Sequence, residues 1–202
     1  MNEVVDFWRD ATNEKWHALD HPRLNRLRPT YRLLLDKAIA VLGYKPKTAI
    51  DWGAGGGLAA GMLQDGGCHV YGVDIVKRSG PFEPVLVDID NPEACVAGKK
   101  VDLFVCLTVI QHMPDVTYAN RIVRLAADVL VPGGVALFQI RMGGPSHQVT
   151  ADSPYKVGWN KRVVIAPADF RQTMEDAGFT ICEAKDGWKS WASDYHYMIG
   201  QI

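Results

Sequence analysis

Apolar positions along this chain fall into short runs and longer periodic ones, and the contrast predicts its elements. Short apolar runs occur at Thr48–Trp52, His69–Ile75, Pro84–Asp90, Val101–Thr108, Val135–Ile140, Thr180–Lys185 and Tyr195–Ile202. Each has strand length. Between them, apolar residues recur every three or four positions in Tyr31–Leu42, Leu58–Gln64, Thr117–Leu130 and Ala168–Ala177. These read as helices, with Pro29 at a first helical position, Gly43, Gly66 and Gly178 just past three ends, and Pro132, Gly133 and Gly134 stopping the third. Glu93–Lys100 predicts a further short helix. The almost unbroken apolar run from Val101 to Thr108 fits a central parallel strand buried on both faces. Strands and helices alternate, so the pattern is that of an α/β domain.

The stretch TAIDWGAGGGLAAGML, Thr48 to Leu63, organises this pattern. A strand carrying the acid Asp51 meets Gly53, Gly55 and Gly57, and a helix begins at once. Glycines there permit positive φ and let a ligand approach the main chain, and the helix start offers it free N–H groups. Asp74 closes the next strand about twenty residues past the first glycine, where an acid binds ribose hydroxyls. A dinucleotide fingerprint needs glycine where Leu58 stands. An acid two residues before the first glycine suits a ligand bearing an ammonium group better than a pyrophosphate. An NAD-dependent oxidoreductase is thereby disfavoured.

These residues resemble a known family. DWGAGGG (Asp51–Gly57) is similar to motif I of class I S-adenosylmethionine-dependent methyltransferases, and GVDI (Gly72–Ile75) to their second-strand acid. LVDID (Leu86–Asp90), CLTVIQHMPD (Cys106–Asp115) and LVPGGVALFQI (Leu130–Ile140) resemble three further landmarks in the family's order. The resemblance implies a three-layer Rossmann-like sandwich around a mostly parallel seven-stranded sheet with an antiparallel last strand. It implies S-adenosyl-L-methionine as cofactor, held by Asp51, Gly53, Gly55, Gly57, Asp74, Ile75, Asp88, Ile89 and Leu107. Asp88 would bond the adenine amino group, with Asp90 an alternative, and Ile89 would lie against the ring. Residues 29–202 would form the methyltransferase domain, and residues 1–28, with Trp8 and Trp16 two turns apart, a helical lid.

Composition narrows the partners. The formal charge of −1 and a hydrophobic fraction of 48% describe a globular domain with no bias towards nucleic acid or membrane. The longest apolar run is far shorter than the roughly 20 residues of a span, and the acidic N-terminus lacks a signal peptide's apolar core, so a cytoplasmic protein is expected. Cys68, Cys95, Cys106 and Cys182 form no C-x-x-C pair and the histidines no ligand pair, so neither a metal site nor a disulfide framework is expected. The oligomeric state is not legible.

Methyl transfer from a sulfonium is an in-line displacement that needs positioning above all, and a base where the acceptor is protonated. His112, just past the fourth strand, is the candidate base; His147 and His196 are weaker. Related small-molecule enzymes resemble this stretch with Glu at the positions of Thr108 and Gln111, so the chain departs twice from the family. The loop Arg141–Ile165, with Tyr155 and Trp159, is the expected acceptor-recognition segment, and Trp188 could stack a flat acceptor. The expected reaction is methyl transfer to a small-molecule hydroxyl, amine or carboxylate. Arg23, Arg26, Arg28, Arg32 and Lys37 leave an RNA methyltransferase as an alternative, and the missing acids leave a non-catalytic S-adenosylmethionine-binding module as another.

Overall fold

The structure, a computed structural model, describes residues 22–142, 163–186 and 195–202. Residues 1–21 of the expected 1–28 lid segment, with Trp8 and Trp16, most of the Arg141–Ile165 loop with His147, Tyr155 and Trp159, and Trp188 lie outside them. The described chain runs α1 (Pro22–Leu42), β1 (Thr48–Trp52), α2 (Leu58–Asp65), β2 (His69–Asp74), β3 (Glu83–Leu86), β4 (Val101–Cys106), α3 (Val116–Val129), β5 (Leu130–Arg141), α4 (Pro167–Asp176), β6 (Thr180–Asp186) and β7 (Tyr195–Gln201).

The seven strands form a single sheet in the order β3-β2-β1-β4-β5-β7-β6. The first five are parallel, and β7 lies antiparallel between β5 and β6. Strand order reverses between β1 and β4, which opens a crevice at their C-terminal ends.

Alternation along each strand feeds two cores. Ile50, Trp52, Phe104, Cys106, Ala136 and Phe138 pack with α3 and with Phe170 and Met174 of α4. Ala49, Leu103, Val105, Val135 and Leu137 pack with α1 and α2 on the other side. That is why VDLFVC carries so few polar residues: its two faces are both interior. Trp52, Phe104, Phe138 and Phe170 continue as a row of rings 5.5 to 5.9 Å apart, from β1 across β4 and β5 to α4. At the opposite end of the sheet from the crevice, Asp102 accepts hydrogen bonds from Lys47 N, Thr48 N and Tyr44 Oη at 2.7, 2.9 and 3.0 Å, joining the start of β4 to the start of β1.

Helix α1 begins seven residues before the position the sequence suggests, and Pro29 lies inside it. An internal proline removes a helical hydrogen bond and costs about 3 kcal/mol. The buried face of Tyr31, Leu34, Leu35, Ala38 and Leu42, extended by Leu27 on the N-terminal side of Pro29, outweighs that loss. Gly43 closes the helix at φ 77° with its N–H on Ile39 O, and Lys37 pairs with Glu183, which also accepts from Tyr197 Oη at 2.7 Å. Helix and sheet are thus joined at the β6–β7 edge.

Three other boundaries differ from expectation. The third strand stops at Leu86, so Asp88 and Asp90 lie in the turn beyond it, where Asp88 Oδ1 accepts from Asp90 N at 2.9 Å. Residues Pro92–Val96 form a short 3-10 helix in place of the expected Glu93–Lys100 helix. Strand β5 already starts at Leu130 and carries Pro132, Gly133 and Gly134 within it, because Gly133 N and Ile202 N bond across to Ile202 O and Gly134 O. Long-range pairing overrides a local stop signal there.

Phe104 is fully buried in the ring row. Truncating Phe104→Ala is expected to destabilise the domain by about 3 to 5 kcal/mol. A urea midpoint that barely moves would show that the ring row is not what couples β1, β4 and β5.

Candidate functional site

The crevice between β1 and β4 collects the residues that the sequence singled out. At its β1 side the chain turns through Gly53, Gly55 and Gly57 at φ 74°, 52° and 77°, values that side-chain-bearing residues rarely adopt. Gly53 N and Ala54 N both donate to Val73 O, at 2.7 and 3.0 Å, which ties the loop to β2. Asp74 completes the tie: its Oδ2 accepts from Gly55 N at 2.9 Å and its Oδ1 from Val76 N at 3.0 Å. Each carboxylate oxygen keeps further acceptor capacity. The acid expected to hold ribose hydroxyls is therefore also the pin of the glycine loop.

The glycines serve packing as well as φ. A Cβ on Gly53 would fall 2.3 Å from Val109 Cγ2, and one on Gly57 2.7 Å from Phe82. Phe82 also occupies the space a Cβ would need on Gly72 and Gly80. At Gly53 and Gly57, then, this chain's own side chains pack into the space a Cβ would take.

Asp51 is 4% exposed and accepts from Ala60 N of α2 at 3.1 Å. Burial pushes its carboxyl up to about 7, the Ala60 hydrogen bond opposes this, and the nearby Asp74 charge adds to it. A cation brought to this acid would remove that penalty. An anion would enlarge it. Val87 N donates to Asp74 O at 3.0 Å, which brings the turn with Asp88 and Ile89 alongside Asp74; Asp88 is exposed and Ile89 buried. Asp51, Gly53, Gly55, Gly57, Asp74, Asp88 and Ile89 thus share the C-terminal edge of β1, β2 and β3, with Ile75 next to Asp74 in the chain.

Across the crevice, β4 ends at Cys106, and Leu107, buried, leads into Thr108 at φ 59°. A β-branched residue in that region is an outlier that costs about 1 to 3 kcal/mol and persists only when its surroundings hold it. Here Thr108 N donates to Gln139 Oε1 at 3.1 Å, Thr108 O accepts from Gln111 Nε2 at 2.8 Å, and its hydroxyl lies 2.8 Å from Tyr31 Oη. His112 follows in the short 3-10 helix Ile110–His112, partly exposed, with its N–H on Val109 O. Val109 meets Gly53, so this turn closes directly on the glycine loop. His196 is buried in β7 opposite Ile140, the residue after Gln139.

Tyr31, Gln139, Val109 and Phe82 were not singled out as site residues from the chain alone. Gln139 had a signal, as the lone polar residue in the apolar run VALFQI. Tyr31 had none, because on α1 it reads as part of an ordinary apolar stripe.

The comparisons agree with this geometry. The profile of the methyltransferase domain family matches residues 21–184. Ubiquinone biosynthesis O-methyltransferase of Marinobacter nauticus is 31% identical over 156 residues, which cover 66% of this chain and 59% of that protein, so the chain spans under two thirds of that relative's length. Among solved structures, the N-methyltransferase NodS of Bradyrhizobium japonicum in complex with S-adenosyl-L-homocysteine superposes with a TM-score of 0.70 at 16% identity, over 100% of this chain and 98% of that one. Magnesium protoporphyrin IX methyltransferase of Synechocystis with bound S-adenosylmethionine superposes with a TM-score of 0.70 at 16% identity, over 99% and 95%. With the sheet order, the glycine loop and its two acids already in place, the match over residues 21–184 shows that this chain belongs to the methyltransferase domain family.

Proposed function

We propose that the chain binds S-adenosylmethionine and transfers its methyl group to a small molecule. The observation that carries this reading is the pairing of a glycine loop pinned by Asp74 with a buried acid, Asp51, whose charge is disfavoured until a cation arrives. That pair suits a nucleoside that bears an ammonium group. When bound, the cofactor supplies an electrophilic methyl on sulfur, open to in-line displacement. The chain's own residues hold and orient. Asp74 would take the ribose hydroxyls, Asp88 the adenine amino group, Ile89 and Leu107 the ring faces, and Asp51 the ammonium. His112, at the mouth of the crevice, would accept the proton that a hydroxyl or amine acceptor loses. The ubiquinone-biosynthesis relatives carry the name O-methyltransferase, which favours oxygen as the attacking atom. Residues 1–28 would serve as the lid; α1 runs unbroken from Pro22 and carries Tyr31 to the crevice.

Calorimetric titration with S-adenosylhomocysteine tests the cofactor assignment directly. Asp74→Ala removes an acceptor of ligand hydroxyls and the pin on Gly55, so affinity should fall at least about tenfold. An unchanged affinity in a folded variant would remove Asp74 from the site.

Asp51 predicts a pH dependence of two kinds. Its folded-state carboxyl lies above the usual 3.8, so the folded chain holds a proton that the unfolded chain has released. Stability should therefore fall as pH rises from about 4 to about 7 and level off above. Cofactor affinity should move the other way, rising through about pH 7 as the carboxylate forms to meet the ammonium. Asp51→Asn should flatten both curves; denaturation and titration at pH 5.5 and 8 read them.

His112→Ala should lower turnover by about a hundredfold to ten-thousandfold while S-adenosylhomocysteine affinity stays nearly constant. Parallel loss of both would make His112 a cofactor contact or a packing residue.

A further inference from the structure

Beyond Cys106 the chain leaves the sheet, while the neighbouring strand continues. In the β4–β5 ladder Cys106 pairs with Phe138, so Gln139 is the next residue of β5 past the end of β4. Gln139 is 7% exposed and the lone polar residue of VALFQI. A buried amide there is costly unless it is bonded. Its Oε1 accepts from Thr108 N at 3.1 Å, so a side chain of β5 takes over from the ladder two residues after β4 ends. A backbone N–H can only donate, and that fixes which end of the amide meets it. Thr108 stands at φ 59°, and among the described residues no other side-chain-bearing residue has a positive φ. Its carbonyl accepts from Gln111 Nε2 at 2.8 Å, a bond from three residues along the same turn. That bond moves with the turn. The bond to Gln139 anchors the turn to the sheet.

We infer that Gln139 is a positioning residue for the cofactor site: it holds Thr108 in the left-handed region, and Thr108 in that conformation sets Val109 against the glycine loop. The inference rests on the methyl-transfer reading above and deepens it. The two neighbours of Thr108 face different parts of the site. Leu107, before it, is buried and in that reading lies on the cofactor's ring. Val109, after it, puts its Cγ2 2.3 Å from where a Cβ on Gly53 would stand, so it packs directly on the first glycine of the loop. His112 N donates to Val109 O at 2.8 Å, and the candidate base therefore follows Val109. The loop is thus held from two sides, by Asp74 at Gly55 and by Val109 at Gly53. A β-branched residue does not keep a positive φ unaided. Without the acceptor for its N–H, Thr108 would relax to a negative φ, and the changed chain direction would carry Val109 off Gly53.

A double-mutant cycle tests this, with S-adenosylhomocysteine titrated calorimetrically into the full chain. Gln139→Met conserves volume and removes the acceptor, and it should weaken S-adenosylhomocysteine about tenfold. Glycine takes a positive φ without help. Adding Gln139→Met to Thr108→Gly should therefore change affinity by less than about twofold. A merely structural role for Gln139 would lower affinity equally in both backgrounds; that result, or wild-type affinity in Gln139→Met, would overturn the inference. If Gln139→Met alone does not fold, recovery of folding and binding when Thr108→Gly is added supports the inference, and failure of the pair overturns it. Absence of S-adenosylhomocysteine binding by the wild-type chain is the separate failure of the methyl-transfer reading. A crystal structure of ligand-free Gln139→Met then decides: a negative φ at Thr108 supports the inference, and Thr108 still at positive φ with Val109 on Gly53 overturns it.

Discussion

A single carboxylate, Asp74, holds two backbone turns at once, and the crevice depends on it. One oxygen fastens Gly55, in the middle of a loop whose glycines sit at positive φ, and the other fastens Val76, where the chain leaves β2. Without it the loop would be held to the second strand chiefly by Val73 O. Because the same carboxylate lies at the C-terminal edge of the sheet, the group that shapes the loop is also the group best placed to meet a ligand's hydroxyls. In the proposed reading, structure and recognition share this one side chain, at the sheet edge where ligands of open α/β folds bind.

The two acids of the β1–β2 edge divide the electrostatics. Asp74 is half-exposed and surrounded by N–H donors, whereas Asp51 is buried with a single backbone donor and the Asp74 charge nearby. Burial pushes the Asp51 carboxyl up, so Asp51 is the group whose ionisation a positively charged ligand would change. On the facing side, the turn that follows β4, Leu107–Met113, carries no acid. Thr108, Gln111, Gln139 and Tyr31 form a neutral network around a strained turn, and the strain is balanced by hydrogen bonds to the N–H, carbonyl and hydroxyl of Thr108. The departure from the family's acids is thus an ordered polar arrangement, which weighs against reading it as the decay of a catalytic site.

The order of elements was legible from the chain because it depends on local periodicity and on glycine, proline and acid placement. Thr48–Trp52, the helix after Gly57, Asp74, the apolar fourth strand and the antiparallel last strand all stand where the pattern and the family resemblance put them. Boundaries failed where packing at a distance outweighed a local signal. Helix α1 passes through Pro29 because Leu27 and the stripe from Tyr31 to Leu42 pack on the sheet, and Pro132 to Gly134 are held in β5 by the chain's last residues. In the site, the acids and glycines could be named from spacing, since each lies next to a strand end in the sequence. Their mutual bonds could not.

What the sequence by itself determined is therefore the α/β architecture, its parallel central strand and the glycine loop flanked by acids, all consequences of short-range pattern. Only the tertiary structure decided that Phe82 and Val109 fill the space above Gly57 and Gly53, that Asp51 is buried beside Ala60, and that Tyr31 reaches Thr108. The last contact spans 77 residues, and Thr108 to Gln139 spans 31. Such pairs are set by which strand lies beside which and by how a helix crosses them, and no periodicity along the chain encodes the distance between two side chains that meet only once the sheet has formed.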